Sequence, residues 1–216
     1  MRQSLNEGQL GLIELLKEMG NEVARILQGC MQSLISLERT QAEYWIAEDQ
    51  KVNDFEQKID DECVRLIATQ QPVAKDLRKI ISAMKISTDL ERMGDLSIDI
   101  AKVVRRIEGP ICKPLVDIPL MAEKALEMMR QGLEAYSNED MELAHGLAVK
   151  DDEVDHLYKQ VVRDLLVIMS DKPEILDQGM YLTFVGRYLE RIADHATNIG
   201  ENVIYITTAE RRDLNK

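Results

Sequence analysis

The chain has 216 residues, of which 39 are acidic and 27 are basic, so its formal net charge is −12. Hydrophobic residues make up 45 % of it, which is typical of a folded protein and argues against intrinsic disorder. The acidic excess argues against a general nucleic-acid binder, because such proteins gain most of their affinity by neutralising phosphates. The same charge suits a protein that binds cations or a basic partner surface.

The N-terminus, the hydropathy and the cysteines of the chain indicate the cellular compartment in which we expect it. The N-terminus lacks the apolar core of a signal peptide, and no stretch approaches the ~20 apolar residues of a membrane span. The cysteines Cys30, Cys63 and Cys112 are odd in number and widely spaced, which argues against a disulfide framework and a C-x-x-C zinc site. Cys63 lies on an apolar helical stripe and is expected to be a buried thiol. We therefore expect a cytoplasmic protein with no direct membrane insertion, and peripheral contact at the inner face of the membrane through its partners stays open.

Apolar residues recur at spacings of three and four along most of the chain, which is the helical period. The pattern predicts six helices, at about residues 5–37, 41–69, 73–107, 118–136, 141–169 and 174–208. Pro72, the polar cluster at 137–140 and Pro173 mark three of the breaks between them. No strand pattern appears, so the predicted fold class is all-α.

The sequence divides into two related halves. Three of the five prolines lie within residues 109–119, and we place the linker at 109–116. Leu-Glu-Arg-Met-Gly-Asp at 90–95 recurs as Leu-Glu-Arg-Ile-Ala-Asp at 189–194, an offset of 99. The repeat predicts two tandem antiparallel three-helix bundles, residues 1–108 and 117–216. Helices of about 30 residues would be about 45 Å long, so the molecule should be elongated.

The strongest chemical signal is a row of acids on the third predicted helix of each half. Glu91, Asp95 and Asp99 lie at i, i+4 and i+8, and Glu190, Asp194 and Asn198 hold the same positions in the second copy. Further members are Glu201, three residues after Asn198, then Asp49, Glu56 and Asp60 on the second helix, and Asp151 and Asp155 on the fifth. Like charges at i,i+4 repel, so a repeated row calls for a reason. Carboxylates from facing helices form metal sites in helical bundles, and we expect such a site in each half.

The donor set indicates the kind of metal. Carboxylates without thiolates favour a divalent or ferric cation, namely iron, Mn²⁺ or Mg²⁺, over zinc or copper, and several bridging carboxylates can hold a multinuclear cluster. Arg92 and Arg191, which follow the first Glu of each row, are expected on a different face. His195 is either a metal ligand or a polar residue at the edge of the core. Solvated helix faces remain the alternative reading of the acids.

No catalytic constellation appears. The sequence has no H-E-x-x-H, no G-x-S-x-G, no phosphate-binding P-loop and no Cys/His nucleophile pair. Two E-x-x-H spacings, ending at His145 and His156, lie on one predicted helix and are read as chance. We therefore expect a protein that is not an enzyme. The alternative is a metal-storage protein or a carboxylate-bridged metalloenzyme, and a third possibility is a structural bundle whose acids serve solubility.

Four segments, at residues 59–63, 70–78, 90–95 and 189–201, resemble the PhoU family of bacterial phosphate-transport accessory proteins. The similarity covers nearly the whole chain and includes both copies of the repeated motif. It implies two tandem three-helix bundles, often assembled as a homodimer. It also implies a negative regulator of the phosphate-starvation response, an adaptor that links the ATPase subunit of the phosphate ABC transporter to a sensor histidine kinase.

The resemblance also implies metal binding, because some members of the family bind multinuclear iron clusters or other divalent metals through E/D-x-x-x-D motifs. The matching pairs are Glu91 with Asp95, Asp95 with Asp99, Glu190 with Asp194, and Asp151 with Asp155. Asn198 matches the Asn that the family usually has at this position. Asp99 is the equivalent residue of the first copy, and there too the family usually has Asn. Asn53 occupies the position of a partner for Asp49, which interrupts the motif on that helix.

Overall fold

The computed structural model describes residues 2–48 and 50–214, and these form helices and no strand. The helices are α1 (Arg2–Ser36), α2 (Arg39–Ala47), α3 (Gln50–Gln70), α4 (Ala74–Arg106), α5 (Asp117–Asn138), α6 (Met141–Asp171) and α7 (Leu176–Thr208). A single 3₁₀ turn, Pro173–Ile175, precedes α7. None of the helices in these ranges carries an apolar stretch long enough to cross a lipid bilayer. The all-α fold class is confirmed.

One helix prediction is wrong, because the segment 41–69 folds as α2 and α3 rather than as one helix. The chain turns at Glu48, whose carboxylate binds Arg25 of α1 at 2.9 Å and Lys51 of α3 at 2.5 Å. One turn earlier, Trp45 packs so tightly on Gly29 that a Cβ there would lie 2.0 Å from the indole ring. The apolar period did not reveal this break, because buried Trp45 and Val52 are seven residues apart, as in a continuous helix.

The polar cluster at 137–140 separates α5 from α6 as predicted. The Asp140 carboxylate accepts hydrogen bonds from the backbone N–H groups of Glu142 and Leu143, at 2.9 and 3.1 Å, and so caps α6. Glu139 lies just before it in the left-handed region, with φ of 55°. Its carboxylate binds Lys75 at 2.5 Å and Lys79 at 2.6 Å. Because both lysines belong to α4, this corner also ties the second half to the first.

The long helices form two layers. The front layer has the order α3, α4, α7, α6, while α1 packs behind α3 and α4, and α5 packs behind α6 and α7. The central pair α4 and α7 is antiparallel. At one end of this pair, Arg78 Nη2 near the start of α4 donates to the carbonyl of Ile206 near the end of α7, at 2.8 Å. We call the side of the front layer that faces away from α1 and α5 the open face; along it α7 exposes Met180, Phe184, Arg187 and Arg191.

Buried side chains from both halves form one continuous core. Two glycines show how closely the helices of the second half approach each other. A Cβ on Gly132 of α5 would lie 3.1 Å from Ile199 of α7, and one on Gly200 would lie 3.0 Å from the carbonyl of Ala144 of α6. Between the halves, the non-helical connection runs from 107 to 116. The shared core packs the two halves together as one body. The predicted domain limits, 1–108 and 117–216, therefore stay a prediction.

Candidate functional site

Helices α6 and α7 bring four of the predicted site residues together. Asp151 and Asp155 lie on α6, and Glu190 and Asp194 lie on the facing side of α7; we call these four the acidic cluster. Burial of the Asp151 carboxyl group, together with repulsion from the other three acids, raises its pKa to about 7. The facing rows predicted from the repeat therefore do meet in the second half.

Glu190 is the most buried member of the acidic cluster, with 9 % of its surface exposed. Its Oε1 accepts a hydrogen bond from Arg187, whereas its Oε2 is buried without a hydrogen-bond partner. Burial raises the pKa of Glu190, and repulsion from Asp194 adds to this while Arg187 opposes it. Burial raises the pKa of Asp194 as well. Basic residues offset part of the charge of the acidic cluster, because Lys159 pairs with Asp155 at 3.1 Å and Arg187 pairs with Glu190. The remaining negative charge would favour a cation or a further basic side chain.

Asn198 and Glu201 continue the same row along α7, but they do not join the acidic cluster. Asn198 Nδ2 donates to Asp89 of α4 at 3.0 Å, and the Glu201 carboxylate accepts from the backbone N–H of Leu214 at 2.9 Å. A helix turns about 100° per residue, so a residue at i+8 is rotated about 80° from residue i. That rotation is enough to turn Asn198 away from α6 and towards α4.

These two residues instead line an open groove of about 490 Å³ between α3, α4, α7 and the segment after α7. The groove is also lined by Asp60, which the sequence assigned to a first metal site. Asp60 Oδ1 is buried without a hydrogen-bond partner, and burial raises the pKa of this residue. Burial likewise raises the pKa of Glu201. Arg211 and Arg212 line the same groove, so its charge is mixed rather than purely acidic.

Asp89 is a residue that the sequence reasoning missed. Besides Asn198, it contacts Nδ1 of His195 at 3.0 Å, and whether that nitrogen carries the proton depends on the tautomer. His195 therefore faces α4 at the edge of the core rather than joining the acidic cluster. No local pattern could have shown this, because the partners of Asp89 lie 106 and 109 residues further along the chain.

The acids of α4 are bound to basic residues of their own helix. Arg92 pairs with Asp95 at 3.0 Å and with Glu91 at 3.3 Å, and Lys102 pairs with Asp99 at 2.8 Å. We expected Arg92 on a different face from these acids, but its long side chain reaches back to both of them. Glu190, the equivalent of Glu91, pairs instead with Arg187 of its own helix, so the basic partners of the equivalent acids differ between the two halves.

The remaining residues of the predicted metal sites belong to α3 and the segment before it. The carboxylate of Glu56 accepts from the hydroxyl of Thr88 at 2.9 Å, and Asp49 lies outside the described residues. Within 2–48 and 50–214, no group of three or more His, Cys, Asp or Glu side chains is arranged to hold a metal ion. The donor chemistry of the acidic cluster suits a hard cation, but its side chains do not form a ready coordination shell.

Comparison with known proteins decides the family. The PhoU domain model matches residues 16–104 and again 118–203, one match in each half. The chain belongs to the PhoU family. A relative from Clostridium acetobutylicum, named phosphate-specific transport system accessory protein PhoU homolog, is 40 % identical over 204 residues, which cover 94 % of this chain and 93 % of the relative. A relative of the same name from Pseudomonas aeruginosa is 36 % identical and covers 88 % of this chain and 80 % of its own.

Solved structures agree with the PhoU assignment. The crystal structure of PhoU from Pseudomonas aeruginosa superposes with a TM-score of 0.88 at 33 % identity, covering 95 % of this chain and 99 % of that one. The phosphate transport system regulatory protein PhoU from Streptococcus pneumoniae gives a TM-score of 0.88 at 29 % identity, covering 97 % and 99 %. The Streptococcus protein is named a regulatory protein, and the two sequence relatives are named accessory proteins. The family confirms the prediction of an accessory protein of phosphate transport rather than an enzyme.

The raised pKa of Asp151 generates a pH-dependent prediction. The folded state favours the protonated carboxyl group, so the native state loses stability as pH rises from about 4 to about 7. Asp151→Asn should therefore raise the midpoint of thermal unfolding at pH 8 by about 2–4 °C for each kcal/mol of repulsion removed, and change it little at pH 4.

The matched control for this test is Asp54→Asn, an exposed acid on α3. It should shift the midpoint equally little at both pH values, as measured by circular dichroism. An Asp151→Asn shift that is the same at pH 4 and pH 8 would contradict the assignment.

Proposed function

We propose that this protein is a negative regulator of the phosphate-starvation response and acts as an adaptor between two proteins. One is the ATPase subunit of a phosphate ABC transporter, and the other is a sensor histidine kinase. When phosphate is plentiful, the adaptor holds the kinase in the state that keeps its response regulator dephosphorylated. Membership of the PhoU family carries the proposal, since relatives covering nearly the whole chain are named as accessory proteins of the phosphate-specific transport system.

The shape of the molecule supports a protein that binds other proteins. α7 has 33 residues, so the open face beside it extends for about 50 Å. Its exposed side chains change along the helix, from apolar at Met180 and Phe184 to basic at Arg187 and Arg191. A face of this length and chemistry offers room for more than one protein contact. Both partners place the protein at the cytoplasmic side of the membrane, and the family resemblance adds a homodimer to the proposal.

Deletion of the gene tests the regulatory role. A strain without it should keep expressing phosphate-starvation genes, such as a secreted phosphatase, in phosphate-rich medium. A plasmid copy of the full chain should restore repression, which is measured as phosphatase activity of whole cells. Normal repression in the deletion strain would contradict the proposed function.

We also propose that the acidic cluster binds a divalent or ferric cation, such as iron, Mn²⁺ or Mg²⁺, as a single ion or as a multinuclear centre. The support is the concentration of negative charge: Glu190 Oε2 is buried without a hydrogen-bond partner, and the neighbouring acids raise the pKa of Asp151. A bound cation would interact with the buried Glu190 oxygen and would reduce the repulsion among the carboxylates. Binding requires the four carboxylates to turn towards a shared ion, because the described arrangement is not a ready coordination shell.

Elemental analysis of protein purified without chelator tests the cation proposal. The wild type should retain metal, and Glu190→Ala combined with Asp194→Ala should lose most of it. The matched control is Glu91→Ala combined with Asp95→Ala, at the equivalent positions of α4, where Arg92 already offsets the charge. Metal-free wild type, or equal metal in the Glu190/Asp194 variant, would refute the proposal. Metal-dependent oxidation or hydrolysis by the loaded protein would favour the alternative of a metalloenzyme.

A further inference from the structure

The segment after α7 folds back along that helix and lines the groove between α3, α4 and α7. We call residues 209–214 the strap. Ala209 begins the strap in the left-handed region, with φ of 62°, and Leu214 ends it, where its backbone N–H donates to the Glu201 carboxylate at 2.9 Å. The Leu214 side chain also packs over Gly200, since a Cβ there would lie 3.4 Å from its Cδ1. The strap is thus anchored at both ends, and the residues between them stay beside the groove.

Basic side chains without a carboxylate partner reach this groove from two elements. Lys85 of α4 lines it and forms no hydrogen bond or ion pair within the part of the chain that the structure describes. Arg211 of the strap lies over the ring of Tyr205, 5.6 Å from its centre, and has no ion pair among the same described residues. Arg212 also lines the groove and pairs with Glu210 at 3.2 Å. The groove therefore contains two positive charges that no described acid neutralises.

Two of the three acids that line the groove are already hydrogen-bonded. Asp89 accepts from Asn198 at 3.0 Å and contacts His195 at 3.0 Å, and Glu201 accepts the backbone N–H that anchors the strap. Asp60 of α3 is different, because its Oδ1 is buried without a hydrogen-bond partner. A buried acceptor that has no donor is costly, so this oxygen would gain from a ligand that donates to it.

The groups that remain favour an anion that carries a proton of its own. Lys85 and Arg211 attract an oxyanion, and the guanidinium N–H groups suit its oxygens. The Asp60 carboxylate repels an oxyanion unless that anion donates an O–H to it. Inorganic phosphate keeps one O–H near neutral pH. A phosphate monoester loses its last O–H above its second pKa of about 6, and sulfate has none to donate. Inorganic phosphate therefore matches the groove better than either of them.

We propose that this groove binds inorganic phosphate in its hydrogen phosphate form. Oxygens of the anion lie beside Lys85 and Arg211, and its O–H donates to Asp60 Oδ1. The groove, of about 490 Å³, leaves room for waters that complete the hydrogen bonds of the anion. The physiological meaning of the site rests on the proposed function: a regulator that acts when phosphate is plentiful would bind the signal itself.

Equilibrium dialysis of the full chain against radiolabelled inorganic phosphate, at about pH 7.5 and constant ionic strength, tests the site. Lys85→Gln and Arg211→Gln should each weaken binding by about tenfold, because each removes a charge-assisted hydrogen bond. Asp60→Asn should let sulfate compete about as well as phosphate, because an amide can donate an N–H to either anion. The matched control is Lys58→Gln, since Lys58 of α3 is exposed and lines a different groove beside α1. Its affinity should stay at that of the wild type.

For the wild type, sulfate and glycerol phosphate should displace the label about tenfold less well than unlabelled phosphate. Circular dichroism checks that each variant folds, and Lys85→Arg, which keeps the charge, should retain most of the affinity. The inference is overturned if the wild type binds no phosphate, if sulfate or glycerol phosphate displaces it equally well, or if Lys85→Gln and Arg211→Gln bind like the wild type. None of these results touches the proposed function, which is judged separately by repression in the deletion strain.

Discussion

The antiparallel packing of α4 against α7 is the contact on which the rest of the structure depends. Each half contributes one of these two helices, so the repeat forms one core rather than two. Polar contacts fix the register along the pair: Arg78 binds the end of α7, and Asp89 binds His195 and Asn198 near its middle. Around this pair, α1 and α3 pack on α4, and α5 and α6 pack on α7, which leaves the open face on the other side of the front layer.

The two copies have diverged on this shared scaffold in ways that bear on function. On α4, Arg92 pairs with Glu91 and Asp95, whereas on α7 the partner of Glu190 is Arg187, which lies on the other side of it along the helix. Lys85 of α4 corresponds to Phe184 of α7. The two copies thus differ in which basic residues pair with their equivalent acids, and in the second half the neighbouring acids raise the pKa of Asp151.

The sequence correctly predicted the features that depend on local spacing. Its predictions failed for features that are set by contacts between residues far apart in the chain. The helical period gave most helix positions, and the Asp140 cap and the meeting of Asp151 with Glu190 followed from short patterns and the repeat. The break between α2 and α3 at Glu48 was missed because Trp45 and Val52 keep the spacing of one helix. The positions of Asn198 and Glu201 depend on which neighbour α7 faces, and no local pattern shows Asp89 as the partner of His195 and Asn198.

Equilibrium unfolding in urea, followed by two signals, tests the central claim that the shared α4–α7 contact makes both halves one cooperative unit. The chain has a single tryptophan, Trp45, so its fluorescence reports the first half alone, while far-UV circular dichroism reports the helices of both halves. The account predicts that the two transitions coincide in midpoint and slope. Two separate transitions, with Trp45 fluorescence changing at a different urea concentration from the loss of helix, would contradict it.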